Sequence, residues 1–213
     1  MTLSAIVTVP ADLEPADFTA PISGVPALVR AVRAVLEVAP VWVVVAETVR
    51  RAAAECLASH GLADVPVVAV PNGRPWPANG EKACGNLPFA ADQILLHDVR
   101  YPLATADLAA RVAAGLAQWD VVLPVLPMTD SVKTIAAHDV VLGNVDRSEL
   151  VTAQYPRGYA AAALIRLQRA GADDLAVLTD PELRVGTVEG EPNAFAVDLA
   201  RDRTLLAAIV TAD

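Results

Sequence analysis

The chain has 213 residues, of which 54% are hydrophobic and 19% are charged, and its formal net charge is −9 at pH 7. This composition is typical of a globular protein with a substantial buried core, and the length favours a single domain. The acidic balance and the absence of any basic run in the sequence argue against binding to nucleic acid or to an anionic membrane, because both need clustered Lys and Arg.

The start of the chain and its cysteines indicate a cytoplasmic protein. Residues 1–6 lack the positively charged start of a secretory signal, and the longest apolar runs, such as 41–46, are too short to span a bilayer. Cys56 and Cys84 form no CxxC motif and have no histidine at metal-ligand spacing. We therefore expect a soluble protein with reduced, structural cysteines and without a disulfide framework or zinc site.

The first third of the chain alternates between strand and helix patterns. Three apolar runs are typical of buried strands: 3–9, 41–46 and 65–70. Two segments that predict helices lie between them: 26–39 and 48–60. Thr48 is placed to cap the second helix, and Gly61 is placed to end it. Such alternation favours a parallel sheet with right-handed crossovers.

The middle of the chain begins with a long loop and then returns to the same alternation. Residues 71–88 are dense in Pro, Gly and Asn, which predicts a loop of a length that is often functional. The patterns that follow predict a strand, a helix and a strand, at 93–97, 105–118 and 121–126. His97 lies on the first of these strands, and we expect it to be a hydrogen-bonded core residue.

The segment 128–155 differs from everything before it. It carries short alternating stretches and several polar residues without a helical stripe, which predicts a protruding β-arm. Beyond the arm we expect a helix, a strand and a terminal helix, at 156–170, 184–189 and 198–210. No repeat or linker divides the sequence, so residues 1–213 are interpreted as one α/β domain.

Four short motifs occur in order along the chain: PISGVPAL at Pro21–Leu28, LHDVRYPL at Leu96–Leu103, PMTDSVK at Pro127–Lys133 and VDR at Val145–Arg147. They resemble the motifs PL-x-G-x-P-x-L, VHDAARPL, P-x-x-DT-x-K and VDR of the 2-C-methyl-D-erythritol 4-phosphate cytidylyltransferase family. That family makes a CDP-alcohol and pyrophosphate from CTP and a sugar-alcohol phosphate, in the pathway to isoprenoid precursors. The resemblance spans most of the chain.

The resemblance implies a particular architecture and assembly. The fold would be a doubly wound, mostly parallel Rossmann-like sheet of the nucleotide-diphospho-sugar transferase type. The segment 128–155 would be an arm that exchanges between two subunits, so the implied partner is a second copy of the chain. A nucleotide or a sugar phosphate would be the small-molecule partner.

The resemblance also assigns roles near the end of a central strand. Asp98 would hold Mg²⁺ beside the nucleotide phosphates, at the sheet edge where open α/β proteins bind ligands. Tyr101 occupies the position of the family's arginine in "AARP", and Arg100 beside it would contact the nucleotide instead. The alternative role for Asp98 is to cap the turn that follows the strand.

Four residues of the arm match the family's substrate-binding motifs. Arg147 would contact the substrate phosphate through its forked guanidinium and would be catalytic together with Lys133. Ser131 stands for the family's threonine and keeps a hydroxyl for a phosphate oxygen, and Asp130 is the acid before it. The alternatives are an ion pair of Arg147 within the arm and solvated turn positions for Ser131 and Lys133.

The nucleotide-binding parts of the family pattern are largely missing. Where the family has a Gly-rich AAG-x-G-x-R loop, residues 9–17 contain no Gly or Arg, three acids, and two prolines that lack N–H donors. A phosphate cradle needs close backbone approach and inward N–H groups, which this segment is poorly suited to provide. The family's two lysines are also absent, since 16–18 and Phe195 occupy their positions.

Two functional hypotheses follow. The first is a member of the cytidylyltransferase family with a degenerate nucleotide loop and weak or lost activity, which would use Mg²⁺ if active. The second is a non-catalytic dimeric paralogue with a binding or regulatory role. Arg74 and Lys82 in the loop 71–88 are the cations available there to replace the missing lysines.

Overall fold

The computed structural model describes residues 1–70, 91–137, 140–170 and 180–212. The described strands are β1 (Leu3–Thr8), β2 (Pro21–Ile22), β3 (Val25–Pro26), β4 (Val41–Val45), β5 (Val67–Ala69), β6 (Gln93–Asp98), β7 (Val121–Pro127), β8 (Lys133–Ile135), β9 (Val141–Asn144), β10 (Val151–Ala153), β11 (Arg157–Ala160) and β12 (Val185–Glu189). The described helices are α1 (Pro15–Thr19), α2 (Ala27–Leu36), α3 (Arg50–Ala58), α4 (Ala106–Gly115), α5 (Ala161–Ala170) and α6 (Arg203–Ala212). The predicted loop 71–88, with Arg74, Lys82 and Cys84, lies outside the described residues.

A mostly parallel sheet forms the centre of the molecule. Its strands lie in the order β10-β7-β11-β6-β1-β4-β5, and β12 pairs with β7. The pairs β1–β4, β1–β6, β4–β5 and β7–β12 are parallel, whereas β10 and β11 run antiparallel to their neighbours. The predicted α/β, Rossmann-like class is therefore confirmed.

Helices cover both faces of the sheet. Successive side chains of a strand point to opposite faces, and β1 shows the consequence. Ala5 and Val7 pack in one core cluster with α2, α3, α4 and α6, while Ile6 packs in a second cluster with Leu164 of α5. Continuous apolar strands are thus buried on both sides, which is why the runs in β1 and β4 have no polar alternation.

The helix that we expect to begin at Pro156 begins instead at Ala161. The four residues before it form β11, which pairs with β6 and with β7, and Tyr159 lies opposite both Ile94 and Val121. These residues are buried or nearly so, and a buried backbone must have its N–H and C=O groups bonded. The sheet provides those bonds, so tertiary pairing overrides the local helical pattern.

Two other helix boundaries differ from expectation. Thr48 does not cap α3, because residues 47–49 form a turn of 3₁₀ helix and Val49 precedes the first residue of α3. The terminal helix begins at Arg203 and not near Asp198, whose carboxylate accepts backbone N–H groups of Ala200 and Arg201 in a turn before it. Gly61 does end α3 as predicted, with a φ of +77° that favours glycine.

In its described residues, the segment 128–155 contains three short strands joined by loops and a turn of 3₁₀ helix. β8 and β9 form a two-stranded antiparallel sheet apart from the central one, and β10 returns to pair with β7. Four exposed apolar side chains lie on or next to the hairpin: Ile135, Val140, Val141 and Leu142 are 62%, 56%, 61% and 67% exposed. The arm is present, and its role in dimerisation stays a prediction.

No helix in the described part of the chain combines the length and the hydropathy needed to cross a bilayer. The cytoplasmic location stays a prediction.

Candidate functional site

A cavity lies at the carboxyl edge of the central sheet. β1 and β6 are neighbouring parallel strands, and their last residues, Thr8 and Asp98, are side by side. Open α/β sheets bind ligands at this edge. Here the chain lines a cavity of about 710 Å³, which we call the edge pocket. Its charged and aromatic lining residues are Asp12, Asp17, Arg100, Tyr101, Tyr155, Arg157 and Asp198.

Asp98 and Arg100 form a bidentate ion pair where β6 ends. The Nε atom of Arg100 donates to Oδ1 of Asp98 at 3.0 Å, and Nη2 donates to Oδ2 at 2.6 Å. The backbone N–H of Arg100 also donates to Oδ1, at 2.9 Å. Asp98 is only 4% exposed, so these charge-assisted bonds are shielded from water and strong. Hydrogen bonding to Asp98 raises the pKa of Arg100 above its ordinary value.

This geometry gives Asp98 the turn-capping role that the sequence left open. The carboxylate accepts the N–H two residues ahead, as in an Asx-turn. Both of its oxygens are engaged by the neighbouring guanidinium. The fold brings Asp98 and Arg100 together, as the resemblance implies, but in this arrangement the two side chains bond to each other.

Two tyrosines and a second arginine form the opposite wall of the edge pocket. The rings of Tyr101 and Tyr155 lie 5.0 Å apart between centroids, with a tilt of 55°. The Arg157 guanidinium lies 4.0 Å from the centroid of the Tyr155 ring, a cation–π distance. Arg157 is only 4% exposed, and its Nε donates to the carbonyl of Gln154 at 3.1 Å. A fixed cation beside two aromatic faces can hold a small polar ligand.

Arg157 is a candidate binding residue that the sequence reasoning missed. The segment from Pro156 was interpreted as a helix, on which an arginine is an ordinary solvated residue. The signal in the sequence was the stretch Arg157–Ala160, in which one charged residue follows a proline and is itself followed by Gly and Tyr. A strand that begins at Arg157 and runs antiparallel to β6 places that charge near the carboxyl edge of the sheet.

The segment after β1 is folded on itself. Helix α1 occupies the place of the family's Gly-rich loop, and its Phe18 is fully buried in the core. The N–H of Leu13 donates to the Pro10 carbonyl, and the N–H of Glu14 donates to a carboxylate oxygen of Asp17 at 2.8 Å. The backbone N–H groups of Leu13, Glu14 and Asp17, which a phosphate cradle could use, are therefore bonded inside the segment.

The arm residues predicted to bind substrate lie away from this arrangement. Arg147 donates to the carbonyl of Thr129 at 2.5 Å, and Lys133 donates to the side chain of Asn144. The expected ion pair of Arg147 within the arm does not occur among the described ion pairs. Asp130 and Ser131 are exposed in the bend before β8.

The four predicted arm residues do not line the edge pocket, whereas the end of the arm contributes to it: Tyr155 is a lining residue, and Arg157 donates to the carbonyl of Gln154. In the resemblance, the arm contributes to the site of a second subunit. The roles of Asp130, Ser131, Lys133 and Arg147 therefore stay predictions.

The edge pocket does not present a ready Mg²⁺ site. Mg²⁺ favours octahedral oxygen ligands, usually one or two carboxylates with substrate phosphates and water. Within the described residues, no group of three or more His, Cys, Asp or Glu could hold a metal. The oxygens of Asp98 that resemblance assigns to the ion are bonded to Arg100. The residues present do not fit the ion in this arrangement.

His97 is buried beside the site but is not the hydrogen-bonded residue that we expected. Its side chain is fully buried, and neither ring nitrogen has a hydrogen-bond partner of good geometry among the described residues. The negative charge of Asp98 and the backbone of Tyr101 each act to raise the pKa of His97. Burial has the larger effect and lowers this pKa to about 4. The imidazole is therefore neutral near pH 7.

A doubly wound sheet, a β-arm and a ligand pocket at the carboxyl edge define an α/β protein of the nucleotidyltransferase type. The family model of 2-C-methyl-D-erythritol 4-phosphate cytidylyltransferase matches residues 12–212. The cytidylyltransferase of that name from a Synechococcus strain (ATCC 27144) is 30% identical over 191 residues, 85% of this chain and 82% of that protein. The chain therefore belongs to the 2-C-methyl-D-erythritol 4-phosphate cytidylyltransferase family, a family of isoprenoid biosynthesis.

Other similarities agree with this assignment. A Rhodococcus jostii cytidylyltransferase is 37% identical over 125 residues, which cover 56% of this chain and 55% of that protein, about half its length. The crystal structure of the Thermus thermophilus cytidylyltransferase matches with a TM-score of 0.76 and 23% identity, over 99% of this chain and all of that one. A synthase from Anaerococcus prevotii matches with a TM-score of 0.80 at 17% identity, covering 99% of this chain and 98% of that one. These structural matches concern the fold.

Proposed function

We propose that this member of the cytidylyltransferase family binds a small molecule with one phosphate group in the edge pocket, and transfers cytidylyl groups from CTP weakly or not at all. The observation that carries the proposal is the closed, acidic segment between β1 and β2. Pro10 and Pro15 have no N–H group, and the N–H groups of Leu13, Glu14 and Asp17 are bonded within the segment. A triphosphate would find few backbone donors there.

The charge of the edge pocket supports the same conclusion. Two guanidinium groups, of Arg100 and Arg157, face a lining that contains Asp12, Asp17 and Asp198. Asp98 already neutralises Arg100. Transfer from a triphosphate requires preorganised positive groups around the phosphates, and losing one such donor typically costs ~10²–10³ in rate. A single phosphate group needs fewer cations, and the two arginines can provide them.

An assay of pyrophosphate release tests the catalytic half of this proposal. The protein is incubated with CTP, Mg²⁺ and 2-C-methyl-D-erythritol 4-phosphate, beside the Thermus thermophilus relative as the positive control. We expect kcat/KM to be at least about 10³-fold below that of the relative, because several donors are absent. A rate within tenfold of the relative would refute weak or lost activity.

Calorimetry tests the binding half. Titration with 2-C-methyl-D-erythritol 4-phosphate should give a measurable heat that falls at least tenfold in affinity in Arg157→Met, since that change removes a buried cation from the edge pocket. Arg111→Met is the matched control, because Arg111 pairs with Glu191 and does not line the edge pocket. Equal binding by both variants, or no binding by the wild type, would contradict the proposal.

An active cytidylyltransferase is the second candidate, and the arm favours it. Asp130, Ser131, Lys133 and Arg147 keep the family's substrate motif, and all four are exposed. An arm from a second subunit would add two cations to each edge pocket. In that case Arg147→Ala would lower pyrophosphate release at least about 10²-fold.

We also propose that the arm forms a homodimer. The support is the group of exposed apolar side chains on or next to β8 and β9, since monomeric proteins rarely expose a contiguous apolar patch. Light scattering should give a dimer mass for the wild type and a monomer mass for Leu142→Asp. Leu205→Asp is the control, because Leu205 is also exposed but lies on α6. A monomeric wild type would disprove the dimer.

A further inference from the structure

The turn after β6 contains a fixed positive charge where the family resemblance expects a metal ion. Three donors of Arg100 bond to the carboxylate of Asp98: the backbone N–H and Nε donate to Oδ1 at 2.9 and 3.0 Å, and Nη2 donates to Oδ2 at 2.6 Å. Asp98 is almost completely buried. An ion that bonds to this carboxylate must first displace the guanidinium.

We infer that the Arg100 guanidinium takes the place of the divalent cation at Asp98, so that the edge pocket binds its anionic ligand without a metal ion. This inference rests on the proposed function for the nature of the ligand, a molecule with a single phosphate group. The part of the inference that concerns the metal ion rests only on the geometry of Asp98 and Arg100.

The other carboxylates of the edge pocket support the inference that Arg100 takes the place of the ion. Mg²⁺ gives up its water shell reluctantly and needs open, well-placed oxygens. Asp17 and Asp198 also line the edge pocket, but a backbone N–H is bonded to each carboxylate, from Glu14 and from Ala200. Within the described residues, no three acids or histidines converge. Asp12 is the remaining acid of the lining, and its negative charge acts on Arg100, whose pKa it helps to raise. A set of three ligands for an ion at Asp98 is therefore not prepared among the described residues.

Arg100 is also suited to meet a ligand anion itself. It lines the edge pocket, and 43% of its side chain is exposed although Nε and Nη2 face Asp98. A guanidinium has five N–H donors and stays charged at all physiological pH values. One face can therefore hold Asp98 while the exposed edge binds a phosphate oxygen. Asp98 fixes the orientation of that edge, which makes it a positioning residue.

Anomalous scattering from manganese tests the inference directly. Crystals of the full chain are soaked with MnCl₂ in the presence and absence of CTP, since Mn²⁺ accepts the ligands that Mg²⁺ favours. We expect no anomalous peak within bonding distance of the Asp98 carboxylate in the wild type. A peak there would overturn the inference, whatever the activity of the protein.

The variant Arg100→Met identifies the cause. It keeps an unbranched apolar side chain but removes the guanidinium and so releases the carboxylate, and we expect a manganese peak at Asp98 in crystals soaked with CTP. A variant that gains no peak would show that Arg100 is not what excludes the ion, which also overturns the inference. If Arg100→Met fails to fold, Arg100→Gln, which removes the positive charge but keeps a polar side chain, is used in the same way.

Ligand binding provides a second measurement. The dissociation constant for 2-C-methyl-D-erythritol 4-phosphate should agree within twofold in EDTA and in excess Mg²⁺. A tenfold or larger gain in affinity with Mg²⁺ would overturn the inference. Failure of the proposed function would give a different result: efficient pyrophosphate release, or no heat of binding when this ligand is titrated. In either case the manganese experiment still decides the role of Arg100.

Discussion

The turn after β6 and the β-arm both match motifs of the cytidylyltransferase family, but the fold holds their charged residues in very different ways. In the turn, Asp98 is almost completely buried and bonded on both oxygens. In the arm, Lys133 and Arg147 are exposed, and each makes one contact within the arm. A matching motif therefore says which residues are present and not how firmly they are placed.

The difference has a physical cause. Asp98 follows a strand buried on both faces, so the backbone fixes its position before any ligand binds. In the arm, β8 and β9 pair only with each other, apart from the central sheet, and exposed long side chains there retain their rotamer entropy. The turn is preorganised within one chain, and the arm is not.

Removing one charged side chain from each region gives the largest expected contrast. We expect Asp98→Ala to lower the free energy of unfolding by about 2 kcal/mol, because it removes a buried carboxylate that bonds the half-exposed Arg100 and its backbone N–H. Arg147→Ala should change it by less than about 0.5 kcal/mol, as exposed substitutions usually do. Urea denaturation measures both. Equal losses in the two variants would mean that the turn is no more rigid than the arm.

The next contrast uses pH, because His97 is buried beside the turn while His60 is a more exposed residue. Burial lowers the pKa of His97 to about 4, below its ordinary value of 6.5. The unfolded chain therefore binds a proton first as the pH falls, so the stability contribution of neutral His97 is complete above pH 6.5 and is lost towards pH 4. Between pH 7 and 5, we expect a loss of about 2 kcal/mol.

Urea denaturation at several pH values checks this expectation. His97→Leu should remove most of the loss between pH 7 and 5, whereas His60→Gln should keep it. Hydrogen bonds from Arg184 lower the pKa of Asp120. Carboxylates of this kind lose their contribution to the free energy of unfolding at lower pH, so they do not account for a loss between pH 7 and 5. An unchanged slope in His97→Leu would contradict the assignment.

Much of the fold could be predicted because its signals are local. Runs such as 3–9 and 41–46 are apolar throughout, as strands covered on both faces must be. β11 could not be predicted, because its four residues are a strand only through pairing with β6 and β7, which are distant in sequence. Local pattern favoured a helix there, and tertiary hydrogen bonds decided otherwise.

The candidate site could be predicted only where its residues belong to a local motif. The motif at Leu96–Leu103 located Asp98 and Arg100 correctly at the end of a strand. It could not show that they bond to each other, since that depends on the backbone of a two-residue turn. Arg157 was missed together with its strand. The acids of 9–17 were noticed, but the helix that uses Asp17 to bond its own backbone was not.

The smallest expected effect concerns the aromatic wall of the edge pocket, which belongs to the preorganised region. Tyr155→Leu should lower the free energy of unfolding by about 1 kcal/mol more than Tyr155→Phe, because phenylalanine keeps the ring below Arg157 and leucine does not. Thermal or urea denaturation of the two variants measures the difference. Tyr155→Leu should also weaken binding of 2-C-methyl-D-erythritol 4-phosphate more than Tyr155→Phe does, since Arg157 loses its support. If the two variants are equal in both measurements, the ring does not hold Arg157 in place, and the preorganised part of the site shrinks to the ion pair of Asp98 and Arg100.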